Sequence, residues 1–198
     1  MSVDDSKKAL VLFSGGLDST TTLAYALSKN YKVIALTINY QQRHSYEIEA
    51  SKKIISKHSN VQHIIFDIDL AKIGGSALTD PDIEVPSKSS DGIPITYVPA
   101  RNTIFLSIAA SYAEKYLIRD IFIGVNAIDY SGYPDCRPEF INAYEKMINM
   151  GTRAGSEGQT FKIHTPLINL SKSEIISIGS GLNVNYRDTV SCLSLIHI

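Results

Sequence analysis

Ser14-Gly15-Gly16-Leu17-Asp18-Ser19-Thr20 has the residue types and spacing to hold phosphate. It lies between an apolar tetrad, Leu10-Val11-Leu12-Phe13, and a stretch with helix spacing at Leu23, Ala26 and Leu27. The tetrad is too short for a helix and ends on a glycine pair, which predicts a buried parallel strand. Asp18 or Ser19 is expected to cap the helix that follows. A strand, a tight glycine turn and a helix N-terminus make an anion cradle. Backbone N–H groups point outward, the helix dipole adds partial positive charge, and glycine lets phosphate come close. The turn carries no lysine, so it is neither G-x-x-x-x-G-K-[ST] nor G-x-G-x-x-G. Holding phosphates by N–H and hydroxyl groups without that lysine suits a cut other than at the terminal phosphate. A glycine turn that only reverses the chain is the alternative.

The elements that follow must position this turn. Residues 32–38 form a second apolar run, ending in the polar patch Asn39-Tyr40-Gln41-Gln42-Arg43-His44, where open α/β sheets place ligands. Residues 45–58 show an amphipathic helix with Ile48, Ile54 and Ile55 on its stripe, and 61–68 a third strand. The pattern βαβαβ predicts a parallel sheet with right-handed crossovers. Residues 69–96, with Gly74-Gly75 and several prolines, break the rhythm and are expected to form a lid. Arg101 and Asn102 then stand at or before a helix N-terminus, where a guanidinium can help hold phosphate. The face of that helix is Ile104, Phe105, Ile108, Ala109 and Tyr112. Residues 120–125 are the fourth strand, 138–150 a helix with Phe140, Ala143, Tyr144 and Met147 inward, and 151–160 a loop. A short extended segment at 161–167 precedes Ser171-Lys172-Ser173-Glu174, a capping box for a last helix ending at Gly179 or Gly181.

The exit of the fourth strand is the second stretch with chemistry in it. Asp129, Asp135, Arg137 and Glu139 crowd around Cys136 in one short run. A carboxylate pair can read the ring N–H and amino donors of a purine-like ligand, and Arg137 can meet a carboxylate. A surface loop with a Tyr-Pro-Asp turn is the alternative.

Composition narrows the class. The 198 residues are 44% hydrophobic and 20% charged, enough for one domain with a sizeable core. A formal net charge of −1 gives no general basic field to recruit nucleic acid. No stretch has the length of a membrane span or the form of a signal peptide, so the cytoplasm is the default location. Two cysteines, Cys136 and Cys192, make no disulfide framework.

Ser-Gly-Gly-x-Asp-Ser after a strand resembles the PP-loop of the N-type ATP pyrophosphatases. With it, Tyr40-Gln41-Gln42-Arg43-His44, Val98-Pro99-Ala100-Arg101-Asn102, His164-Thr165-Pro166-Leu167 and Leu170-Ser171-Lys172-Ser173-Glu174 resemble the 7-cyano-7-deazaguanine synthase family. The most discriminating match is Asp129-Tyr130-Ser131-Gly132-Tyr133-Pro134-Asp135-Cys136-Arg137. The resemblance implies a Rossmann-like α/β fold of the adenine nucleotide alpha hydrolase type, a parallel sheet flanked by helices. It implies ATP-dependent conversion of 7-carboxy-7-deazaguanine and ammonia to the nitrile by two adenylations, in queuosine biosynthesis. ATP and Mg2+ are the implied cofactors, and the residues implied for ATP are Phe13, Ser14, Gly15, Gly16, Leu17, Asp18, Ser19, Thr20, Thr21, Thr22 and Leu23. Ser14, Asp18, Ser19 and Arg101 are the implied catalytic set. Arg43, Asp129, Tyr133, Asp135 and Arg137 are the implied substrate contacts. No nucleic acid or membrane partner is implied, and a homodimer is left open.

The family also implies a structural Zn2+ held by four cysteines near the C-terminus, of which Cys192 matches the first. The chain supplies no others after it, so the zinc-binding appendage is expected to be incomplete. Residues 1–192 are expected to form a single PP-loop domain, with the zinc-bearing region starting from about 161. Residues 193–198 are expected to be a non-native tail, because the match stops at Cys192 and Leu-Ser-Leu-Ile-His-Ile resembles a translated sequencing adapter. His44, His58, His63 and His164 show no ligand spacing. Two other readings stay open: another PP-loop adenylating enzyme, tRNA-modifying or amidotransferase-fed, and a non-catalytic nucleotide-binding remnant.

Overall fold

In the computed structural model, which describes residues 7–41, 46–80, 82–83, 92–128 and 132–190, five strands form one parallel sheet. These are β1 (Lys8–Leu12), β2 (Lys32–Asn39), β3 (Gln62–Asp67), β4 (Asp120–Phe122) and β5 (Lys162–His164), in the order β3-β2-β1-β4-β5. Every neighbouring pair is parallel; Leu10, for example, lies opposite Ile34 on one side and Ile121 on the other. Central strands buried on both faces are near-continuous apolar runs, and β1 and β2 follow that rule.

Six α-helices flank them among the described residues: α1 (Leu17–Ser28), α2 (Tyr46–Ile55), α3 (Arg101–Lys115), α4 (Pro138–Gly151), α5 (Arg153–Ser156) and α6 (Lys172–Gly181). One face of the sheet is covered by α1 and α2, where Val11, Phe13, Leu23, Ala26, Ile54 and Ile55 form a core. The other is covered by α3 and α4, with Leu10, Leu36, Leu106, Ala110, Ile121 and Tyr144. After β3 the chain returns to the far side of β1. The strand order therefore reverses between β1 and β4, which is where a doubly wound sheet opens a crevice at its C-terminal edge.

Several expectations shift by a residue or an element. The fourth strand pairs only over Asp120–Phe122; Ile123 still donates to His164 O at 3.0 Å, but beyond it the chain leaves the ladder. The inward face of α4 is Ile141, Tyr144 and Ile148, while Met147 is 48% exposed and Ala143 lies outside. The stretch expected as one loop at 151–160 contains α5, and a 3-10 turn forms at Tyr186–Asp188. The expected lid holds no helix or strand among its described residues. Part of it is packed inward, with Leu70, Ser76, Ala77, Leu78 and Thr79 buried, while Ile73, Ile93 and Ile95 are exposed.

Candidate active site

Gly15 is the pivot of the phosphate turn. Its φ of +84° is a conformation that side chains rarely tolerate, and a Cβ there would stand 2.7 Å from the Ser51 backbone nitrogen. Glycine thus lets the turn lie against α2. The cap of α1 is Gly16, not Asp18 or Ser19, and no side chain closes the helix end. Asp18 and Ser19 are instead residues of its first turn, where backbone N–H groups have no partners within the helix. An uncapped N-terminus keeps those donors available to an anion.

The turn is braced internally. Ser19 Oγ receives the Ser14 N–H at 3.2 Å and lies 3.2 Å from Ser14 Oγ, which accepts from Gly16 N at 3.2 Å. Thr20, Thr21 and Thr22 return their hydroxyls to the carbonyls of Gly16, Leu17 and Asp18, at 2.8 to 2.9 Å. They shape the helix and do not line the cavity, and Leu23 is a core residue.

A cavity of about 410 Å3 opens at the C-terminal ends of β1, β2 and β4. Phe13, Ser14, Gly16, Leu17, Asp18 and Ser19 line it on the α1 side, and Arg101, Asn102, Phe105, Tyr133 and Cys136 on the α3 side. Among the lining residues that escaped sequence reasoning, two come from the far end of the chain. Lys172, first residue of α6, places Nζ 3.1 Å from both Asp18 carboxylate oxygens, so a lysine reaches the turn from elsewhere in the chain. Its one signal was the capping box, which is formed as expected. Val190 is the other: its N–H donates to Gly15 O at 3.2 Å. The segment leading to it is anchored twice. The Tyr186 hydroxyl lies 2.8 Å from Thr21 Oγ1, and Lys57, just past α2, and Lys53 of α2 grip Asp188 and hold its carboxyl below the ordinary range.

The second motif is only partly assembled at the cavity. Tyr133 lines it, its hydroxyl 2.8 Å from Thr96 Oγ1. Asp135 is buried behind that wall and accepts from Asn102 N at 3.0 Å, fixing the first turn of α3. Arg137 is exposed and does not line the cavity. Arg43, Asp129 and Cys192 lie outside the described residues, as does the 193–198 tail. Burial alone would make Arg101 less basic; Tyr40, Tyr133, Asp135 and Cys136 outweigh it, and the guanidinium stays a cation. Burial, then Asp135, pushes the Cys136 thiol up to about 11, so it is held protonated and is no nucleophile.

The residues present do not fit a four-cysteine zinc site. The chain has two cysteines, and no three His, Cys, Asp or Glu side chains cluster among the described residues. Nor is any helix among them long and apolar enough to cross a membrane.

Comparison with known proteins decides the family. The family described as queuosine biosynthesis protein QueC matches residues 8–195. The chain belongs to the QueC family. It is 54% identical over 188 residues to the 7-cyano-7-deazaguanine synthase of Stutzerimonas stutzeri, covering 95% of this chain and 84% of that one. To the synthase of Cellvibrio japonicus it is 55% identical over 186 residues, 94% of this chain and 83% of the other. Solved structures share the QueC chain's fold at lower identity. A 4-thiouridine synthetase in complex with RNA and ATP superposes with TM-score 0.57 at 20% identity, over 93% of this chain and 42% of that one. The NMN synthetase of Francisella tularensis gives 0.56 at 18%, over 93% and 65%. The parallel sheet flanked by helices is therefore the expected architecture.

Proposed function

We propose that this chain converts 7-carboxy-7-deazaguanine and ammonia to 7-cyano-7-deazaguanine, with ATP as the activating reagent. The observation that carries the reading is identity above half, over nearly the whole chain, to synthases of that name. Membership of the family makes it an ATP-using, carbon–nitrogen bond-forming enzyme of queuosine biosynthesis acting on a small molecule.

A carboxylate resists ammonia because its oxygens leave poorly. In the first stage a carboxylate oxygen attacks the α-phosphorus of ATP, the bond to the bridging oxygen breaks, and pyrophosphate departs. Ammonia attacks the acyl carbon of the adenylate and AMP leaves, giving the amide. The amide oxygen then attacks the α-phosphorus of a second ATP and expels pyrophosphate; loss of AMP and two protons leaves the nitrile. The chain's contribution is chiefly electrostatic, since charge builds on the departing pyrophosphate. The N–H groups at the start of α1, the Ser14 and Ser19 hydroxyls and the Lys172 ammonium would receive it, a role supported by their position on the cavity wall. Mg2+ would arrive on the phosphates and share their charge, with Asp18 as the carboxylate beside them. Cys136 is held protonated by burial and offers no thiolate to this reaction.

The test is incubation with ATP, ammonia and 7-carboxy-7-deazaguanine, following pyrophosphate and the mass of the product. Pyrophosphate together with the nitrile is expected. Pyrophosphate release that does not depend on this acceptor would overturn the reading.

A further inference from the structure

Arg101 is a strong cation whose guanidinium makes no hydrogen bond and no ion pair among the described residues. What it has is a flat aromatic neighbour: its Cζ sits 5.8 Å from the centre of the Tyr133 ring. Five N–H donors that line a cavity and meet no protein acceptor among the described residues are an anion receptor in waiting.

Two anions could claim it, a phosphate of ATP or the carboxylate of the acceptor. The surroundings favour the second. Phosphate already has donors on the α1 side, in the turn and Lys172, whereas Arg101 projects from α3 on the opposite face of the sheet. Around it the cavity wall is aromatic and flat. Tyr40 and Phe105 pack with ring centres 5.4 Å apart, and Tyr133 packs on Tyr97 at 5.8 Å. Polyphosphate gains little from such walls; a planar bicyclic ring gains a great deal. A guanidinium fork also matches a carboxylate in bidentate fashion.

We infer that Arg101 is the receptor for the acceptor's carboxylate, in a subsite walled by Tyr40, Phe105 and Tyr133. The inference rests on 7-carboxy-7-deazaguanine being the acceptor, as proposed above. It moves two roles. The carboxylate partner is Arg101 rather than the exposed Arg137, and Asp135 is a positioning residue. Through the Asn102 N–H at 3.0 Å, Asp135 holds the turn of α3 from which Arg101 projects. The subsite also acquires a direction: the acid arrives charged and is gripped by the fork, while the amide made from it is neutral and is held more weakly.

Equilibrium binding separates these roles, with three probes on the wild-type chain, Arg101→Gln and Arg101→Lys. The probes are 7-carboxy-7-deazaguanine, its 7-carboxamide, and an ATP analogue with a methylene bridge between the α and β phosphorus atoms. For Arg101→Gln, loss of a charge-assisted contact should weaken the acid by roughly 10- to 100-fold. The carboxamide should lose far less and the ATP analogue should bind unchanged. Arg101→Lys keeps the charge without the fork and should fall between; it carries the same comparison if the glutamine variant does not fold. Asp135→Asn should weaken acid binding several-fold with carboxamide binding nearly intact. Equal losses for acid and carboxamide, or a loss for the ATP analogue as large as for the acid, would overturn the assignment. A wild-type chain that binds the ATP analogue but neither acid nor carboxamide would overturn the acceptor itself, a separate failure.

Discussion

Lys172 and Asp18 are 154 residues apart in sequence, and the lysine Nζ stands 3.1 Å from both oxygens of the aspartate. The pair is part-exposed, at 40% and 30% for the two side chains, so it is worth at most about 1 kcal/mol to stability. Its value lies in where it holds a positive charge. Lys172→Ala should leave thermal unfolding nearly unchanged and cut the rate of pyrophosphate release by roughly 100- to 1000-fold, as loss of a preorganised charge partner does. Asp18→Ala should slow the same step, because it unseats the lysine. Normal single-turnover rates in both variants would remove the pair from the phosphate site.

The brace behind the turn makes a second expectation. Gly179 in α6 faces Tyr186, and a methyl group there would overlap the tyrosine hydroxyl. That hydroxyl lies between Thr21 Oγ1 and the Ile175 carbonyl, at 2.8 and 3.1 Å. Gly179→Ala should cost about 1–3 kcal/mol by overpacking. On a Tyr186→Ala background the obstacle is gone, so the same substitution should cost much less. Urea denaturation of the four chains gives the coupling directly. Additive losses would mean that the two residues do not meet.

Which of these features could be seen in the chain alone follows from distance along it. The turn at 14–19 was legible because strand, glycine pair and helix are contiguous, and each announces itself by spacing. The carboxylates and arginine around Cys136 were legible as a cluster but not as an arrangement. Tertiary packing turns Asp135 inward to Asn102 and leaves Arg137 exposed, so Arg137→Lys is expected to be mild. Lys172 and Val190 reach the cavity from the far end of the sequence, where no local pattern points back to the turn. On α4 the expected face was half right: Tyr144 is buried and Phe140 packs against the core, but Ile141 and Ile148 complete the stripe where Ala143 and Met147 were expected. A four-residue helix such as α5 is a single turn, too short for its spacing to repeat and reveal it.

Cys136 should behave as a structural residue. Its thiol is buried, accepts from Asn102 Nδ2 at 3.3 Å and is pushed up to about 11. Native protein treated with iodoacetamide near pH 8 should leave Cys136 unmodified by peptide mapping, and unfolded protein should not. Cys136→Ser should retain pyrophosphate release. Rapid labelling of native Cys136, or loss of the reaction in the serine variant with folding intact, would contradict this.

Metal content is a direct check on the zinc expectation. With two cysteines in the chain and no cluster of ligands among the described residues, the purified protein should carry well under one zinc per chain. A chelator should then leave its unfolding midpoint where it was. One tightly held zinc per chain would show that a ligand set exists that these residues do not reveal.

His63 links acid stability to the phosphate turn. Its Nε2 lies 2.8 Å from Thr37 Oγ1, and the Thr37 hydroxyl donates to Phe13 O at 2.7 Å, which leaves His63 as the donor of the first bond. Burial, with the charge of Lys52 adding to it, lowers the pKa of the imidazole below its ordinary 6.5. An unfolded chain takes up this proton near pH 6.5, while the folded chain takes it up only at lower pH. Between those points the unfolded state holds more protons, so stability falls as the pH falls. The contribution of a neutral His63 is thus fully present above pH 6.5 and is lost on the way down to the folded-state value. His63→Gln can keep a donor toward Thr37 and cannot ionise. Urea midpoints from about pH 8 to about pH 5 should decline less steeply for that variant than for the wild type, with the curves closest together at the acid end. Because the Thr37 hydroxyl ends on the carbonyl immediately before Ser14, binding of the ATP analogue to the folded chain should hold steady until the pH reaches the lower folded-state value, then weaken in the wild type and less in the variant. Parallel stability curves for the two chains would place the acid-sensitive group elsewhere.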